Sequence, residues 1–104
     1  SFTNKFIPMK KNTINDIVAV ISEELNIFEI EMRSPGRRGD IPLARCMFRY
    51  FSKYFLNWEE DHVSDWLNQS RVSKYAFKHK HDDAMRFDKT YQIVFNGIFN
   101  KLNK

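Results

Sequence analysis

Three observations predict an all-α fold, a small domain of five to six helices. Only three glycines and three prolines punctuate 104 residues, too few for the turns an all-β chain needs. Apolar residues recur at helical spacing in several separate runs. Their 42% share, with an aromatic share of 15% led by ten phenylalanines, is enough to bury one core.

In chain order, residues 1–12 lack periodicity and contain Pro8, so a lead-in or interdomain linker is expected ahead of a helical domain over 13–104. Thr13 with Asp16 three residues on makes an acidic capping box. Ile14, Ile17, Val18, Ile21 and Leu25 then predict a helix over 13–25, which Asn26 ends. Ile27, Phe28, Ile30 and Met32 suggest a short helical turn packing back on it. Pro35, Gly36 and Gly39 keep residues 33–39 out of regular helix.

Asp40 is placed to cap the next helix, with Pro42 tolerated in its first turn. From Ile41 to Phe55 an apolar stripe of Leu43, Ala44, Met47, Phe48, Phe51, Tyr54 and Phe55 faces inward, leaving Arg45, Arg49, Ser52 and Lys53 on the other side. Asn57 and Trp58 close it. Glu59–Leu67 reads as a short helix with His62, Val63, Trp66 and Leu67 inward. Asn68-Gln69-Ser70 reads as a tight turn with Ser70 as the next cap. Residues 71–80 follow as a basic helix with Val72, Tyr75, Ala76 and His79 on its apolar side. That pair of helices has helix-turn-helix proportions. Residues 81–87 are expected to be a polar connector. Asp88 then caps a last helix to Leu102, with Tyr91, Val94, Phe95, Ile98 and Leu102 inward and Gly97 weakening its middle.

The net charge of +4 is unevenly spread. Arg33, Arg37, Arg38, Arg45, Arg49 and Lys53 share residues 33–54 with one acid, Asp40. Arg71, Lys74, Lys78 and Lys80 share residues 71–81 with none. Between them lies an acidic block, Glu59, Glu60, Asp61 and Asp65. Two basic blocks of this kind attract nucleic acid and, less specifically, anionic membranes or acidic proteins. One cysteine, Cys46, forms no intrachain disulfide, which points to a reducing, cytoplasmic setting. No apolar run approaches the roughly 20 residues of a membrane span, and no signal peptide is visible. The chain begins without Met, so further domains of a longer parent protein are expected.

At Arg33-Ser34, Arg37-Arg38, Asp40-Ile41 and Leu43-Ala44-Arg45 the chain resembles the carboxy-terminal DNA-binding domain of the bacterial replication initiator DnaA. The text MRSPGRRGDIPLAR is in step with that family without a gap, and TINDIVAVISEELNIFEIEMRS resembles the elements before it. The resemblance spans roughly 13–80. It implies a Trp-repressor-like helix-turn-helix with an added basic loop. By resemblance Arg37 enters a minor groove, while Arg45 and Lys53 lie near the phosphate backbone. The family's Asp-His-Thr-Thr-Val reading motif is replaced here by Asn68-Gln69-Ser70-Arg71-Val72-Ser73-Lys74, in which only Ser73 has a similar counterpart.

The expected partner is double-stranded DNA, with Arg33, Arg37, Arg38, Arg45, Lys53, Ser70, Arg71, Ser73, Lys74 and Lys78 as contact residues. Arg71, Ser73 and Lys74 suit base edges and Lys78 a phosphate; Arg37 and Arg38 suit a narrow minor groove. The competing expectation is a protein-interaction module on a helix-turn-helix that has lost its readout, docking a basic partner on 59–66. Tyr75 and Phe77 beside lysines would also serve single-strand stacking, although aromatics at helical spacing are more often core. His79 and His81 at i, i+2 do not share a helix face, and Lys80 between them opposes a cation, so no metal is expected. Neither a cofactor, a small-molecule substrate nor an enzymatic activity is expected: Cys46 has no implied histidine partner, and no phosphate-binding glycine motif occurs.

Overall fold

The computed structural model describes residues 12–103. The lead-in expected over 1–12 falls outside them, apart from Asn12. Six helices and no strand occur among the described residues. The first is α1 (Ile14–Leu25), which starts at the expected capping box. Thr13 Oγ1 accepts from the Asp16 amide at 3.2 Å, and the Thr13 amide donates to the Asp16 carboxylate at 2.9 Å. Asn26 ends the helix in the left-handed region, φ 56°. Ile17, Val18 and Ile21 are its buried face. A single turn, α2 (Glu29–Met32), anchors through Met32, and the basic loop follows. Gly39 in that loop takes φ 54°, which a Cβ would strain.

The centre of the domain is α3 (Ile41–Leu56), which packs against every other helix. Its stripe of Ala44, Met47, Phe48 and Phe51 is fully buried, as the spacing predicts. The opposite side differs from expectation. Arg45, Arg49 and Ser52 are buried too, leaving Lys53 exposed, while Tyr54, expected inward, is 57% exposed. A helix surrounded by neighbours has no solvent face, and its polar groups must find partners inside. Ser52 Oγ does so by donating to the Phe48 carbonyl at 2.7 Å. Asp40 makes no side-chain cap, contrary to expectation.

After Asn57, left-handed at φ 58°, comes α4 (Glu60–Trp66). Trp66 stacks on Phe48 with centroids 4.4 Å apart, and Trp58 meets Phe48 edge-on at 6.2 Å. His62, expected inside, is exposed and stacks on Trp58 at 3.8 Å. Residues 67–72 lead to α5 (Ser73–Phe87), so the link is longer than the expected three residues. The expected connector 81–87 is helical. Its reason is apolar spacing: Phe77, His81, Ala84 and Met85 form the inward side, whereas Val72, Tyr75, Ala76 and His79 are exposed. Asp88 then caps α6 (Lys89–Leu102), accepting from the Tyr91 amide at 3.0 Å. Tyr91, Phe95, Ile98 and Leu102 are buried, with Val94 partly so.

At the junction of α3, α5 and α6, His81 stacks on Tyr50 at 4.9 Å and shares a 2.7 Å hydrogen bond between its Nδ1 and the Tyr91 hydroxyl. Burial, aided by the Lys78 charge and opposed by Asp82, holds the imidazole below its usual value of 6.5. An unfolded chain therefore takes up a proton near pH 6.5 that the folded chain takes up only at lower pH. Stability is full above pH 6.5 and falls as pH drops from there toward the depressed folded value. His81→Phe is expected to flatten this part of a urea-melt stability profile; an unchanged slope would place the titration elsewhere. Gly97 sits inside α6, where an added Cβ would meet only a Glu24 side-chain oxygen at 4.0 Å. Gly97→Ala is therefore expected to stabilise by about 0.5–1 kcal/mol in the same assay.

Candidate nucleic-acid interface

Arg33 joins the basic loop to the end of α4 and the turn beyond it. Its Nε donates to the Trp66 carbonyl at 2.7 Å, its Cζ lies 4.4 Å from the Trp66 ring centre, and its own carbonyl accepts from Asn68 Nδ2 at 3.0 Å. The start of the loop is thus bonded to the end of α4 and to the turn before α5. An ion pair to Glu29 at 3.4 Å completes the set. Arg33, expected at DNA, is first a strut between segments.

Arg45 is also a strut. Only 4% exposed, it donates through Nε to the Met32 carbonyl at 2.9 Å and through Nη2 to the carbonyls of Glu31 and Ser34. It satisfies the last carbonyls of α2 and the first of the loop. The phosphate contact expected of it is incompatible with that burial. Desolvation, and then the nearby Arg37, lower its pKa. Arg37 and Arg38 are exposed and form no ion pair among the described residues.

At the end of the first block Lys53 pairs with Glu60 at 2.7 Å; on the second, Arg71 lies across Asp65 at 2.9 Å with Asp61 at 3.8 Å. The Arg71 hydrogen bond holds the Asp65 carboxyl below its ordinary value. Lys78 is 3.7 Å from Asp82 along its own helix. Ser70 Oγ accepts from the Val72 amide at 3.3 Å, and the Ser73 amide donates to the Ser70 carbonyl at 3.0 Å. Ser70 therefore organises the turn rather than capping α5, which has no side-chain cap. Lys74 lies in the first turn of α5, and its side chain is outside the described set.

No family model, curated protein or solved structure matches this chain. The geometry alone sorts the ten expected contact residues. Arg37, Arg38, Ser70 and Arg71 lie on the loop or the turn that Arg33 joins; Ser73 and Lys74 begin α5; Lys53 and Lys78 lie along α3 and α5; Arg45 is inside. Sequence reasoning missed Arg49, 4% exposed, whose guanidinium donates to Ser64 Oγ at 2.8 Å, Gln69 Oε1 at 3.1 Å and Glu60 at 3.3 Å. Its i, i+4 spacing from Arg45 and Lys53 looks like a solvated cationic stripe, which hid it.

Burial pushes the Cys46 thiol up to about 11, so it stays protonated at neutral pH. No three His, Cys, Asp or Glu side chains converge on a metal position among the described residues. No helix there is long and apolar enough to cross a membrane.

Removing Arg45 leaves three carbonyls short of a charged donor. Arg45→Met is expected to cost about 3 kcal/mol in urea denaturation, whereas Arg37→Ala on the exposed loop changes stability by less than about 0.5 kcal/mol. Equal effects would remove the distinction between strut and free cation.

Proposed function

We propose that this domain binds double-stranded DNA, with Arg37 and Arg38 in the minor groove and the N-terminal end of α5 toward the adjacent major groove, as in origin-box recognition by a replication initiator. The observation that carries the reading is the Arg33 joint: it ties an exposed loop with two unpaired arginines to the turn that leads into α5. A rigid joint of this kind suits a ligand that must be touched at two places at once. Minor grooves favour inserted guanidinium groups, and Arg37 and Arg38 have no carboxylate among the described residues to leave.

Helix termini support the same reading. Of the four long helices, α1 and α6 carry a side-chain cap, whereas α3 and α5, which follow the two basic segments, do not. Their positive ends attract phosphate, although Ser70 already accepts from the Val72 and Ser73 amides at the start of α5. The resemblance of residues 33–45 to an initiator's DNA-binding domain points the same way. Arg71 contributes less than its position suggests, because phosphate must displace Asp65 and Asp61. Cytoplasmic location and a role in replication belong to this proposal and follow only if it holds.

One observation favours a protein partner instead. The acidic block neutralises Lys53 and Arg71, while Val72 and Tyr75 stand 70% and 66% exposed at the start of α5. A surface with paired charges and exposed apolar side chains suits a protein better than a polyanion.

Fluorescence anisotropy with duplexes from a random library separates the two. With about four phosphate contacts, from Arg37, Arg38, Arg71 and Lys78, log affinity is expected to fall against log salt with a slope of about −3.6. Arg37→Ala and Arg38→Ala each reduce that slope by about one. Asp65→Asn, which frees Arg71, tightens binding severalfold. Lys101→Ala, remote on α6 beside Glu23 and Glu24, changes nothing. No retention of any duplex, or an equal loss from Lys101→Ala, would overturn the proposal.

A further inference from the structure

Between α3, α4 and α5 lies a cleft of about 350 Å³, lined by Tyr50, Tyr54 and Phe77 on its apolar walls and by Arg49, Lys53, Glu60, Lys78 and Asp82. Pockets that hold small ligands begin near this size and combine aromatic walls with a few fixed polar groups. Tyr50 and Tyr54 are near-parallel along α3, centroids 5.9 Å apart at 12°, which presents a flat face. His81, also in the lining, is engaged with Tyr91 and desolvated, so it joins the wall as a neutral ring at physiological pH.

Two features mark the cleft as more than a packing gap. The first is Arg49: its Nη atoms have partners, yet its buried Nε has none, and its Cζ lies 4.8 Å from the Phe77 ring centre. A buried donor without a partner costs stability and is uncommon in native proteins. The second is the balance of charge. Three cations, Arg49, Lys53 and Lys78, face two carboxylates, Glu60 and Asp82, leaving one net positive charge. A dianion such as a nucleoside monophosphate would meet both carboxylates with too little compensation. A single carboxylate would not. The Lys78–Asp82 pair is long and largely exposed, 3.7 Å with Lys78 73% accessible, so its ammonium is easily redirected.

We infer that this cleft binds a small aromatic monocarboxylate, its ring against Tyr50, Tyr54 and Phe77 and its carboxylate on Lys78 and Lys53. The site shares Lys78 with the DNA reading but does not rest on that reading, and the test contains no nucleic acid.

The test titrates 3-phenylpropionate into the full 104-residue chain and follows amide chemical shifts by NMR. Saturable shifts confined to α3 around Tyr50 and α5 around Lys78 are expected, with Kd on the order of 1 mM for so small a ligand. The neutral alcohol 3-phenyl-1-propanol binds about tenfold more weakly, the loss of one charge-assisted hydrogen bond. Lys78→Met, a surface change that leaves the fold intact by circular dichroism, weakens the carboxylate about tenfold and leaves the alcohol unchanged. Lys53→Met, which also frees Glu60, weakens it further. Equal binding of acid and alcohol, tighter binding of adenosine monophosphate at the same amides, shifts elsewhere, or no saturation would each overturn the assignment.

Discussion

Two guanidiniums on the central helix hold this molecule's irregular segments in place. Arg45 gathers carbonyls from the end of α2 and the start of the loop; Arg49, one turn on, gathers Ser64, Gln69 and Glu60. Each is about 4% exposed. Burying a guanidinium costs several kcal/mol unless its donors are used, so each is stable only while the segments it binds stay where they are. The planar fork of arginine suits this work better than a lysine ammonium, because one group reaches several acceptors at fixed angles. Arg33 repeats the device at the surface, bonding α4 to the loop.

Caps and apolar spacing made most of the fold legible in the residues. Thr13 with Asp16, Asn26, Asn57 and Asp88 all sit at the helix ends their chemistry suggests. They act locally, through hydrogen bonds within a few residues, and local rules are what a sequence displays. The inner stripes of α1, α3 and α6 are legible for the same reason. Misread elements depend on neighbours distant in the chain. On α5, Val72, Tyr75 and Ala76 look like an apolar face, but Phe77, His81, Ala84 and Met85 are the ones that meet the rest of the domain. Nothing within residues 71–87 distinguishes the two faces. What decides is the aromatic group of Tyr50, Tyr91 and Phe95, arriving from α3 and α6 to receive His81.

The contact residues were only partly legible for a related reason. A cation at i, i+4 on a long helix reads as solvent-facing, and for Lys53 it is. For Arg45 and Arg49 the same spacing marks a face covered by α2, the loop and α4, which no local pattern announces. The loop arginines were easier. Gly36 and Gly39 around Arg37 and Arg38 exclude helix, and a loop with no apolar residue between Pro35 and Asp40 has nothing to bury.

The division between buried and exposed cations also decides what the acidic block does. Glu60 compensates Arg49 in a half-buried setting, where losing it would leave a desolvated charge unpaired, and that contact belongs to the fold. Asp61 and Asp65 meet Arg71 at the surface, where ion pairs contribute little and fade with salt. An exposed pair of that strength can be exchanged for a phosphate at small cost, whereas Arg45 and Arg49 cannot leave without undoing the joints they make. Among the described residues Arg37 and Arg38 have no carboxylate partner, whereas Arg71 has two. Under the proposed DNA reading, Asp61 and Asp65 would then set how highly charged a ligand must be to recruit Arg71.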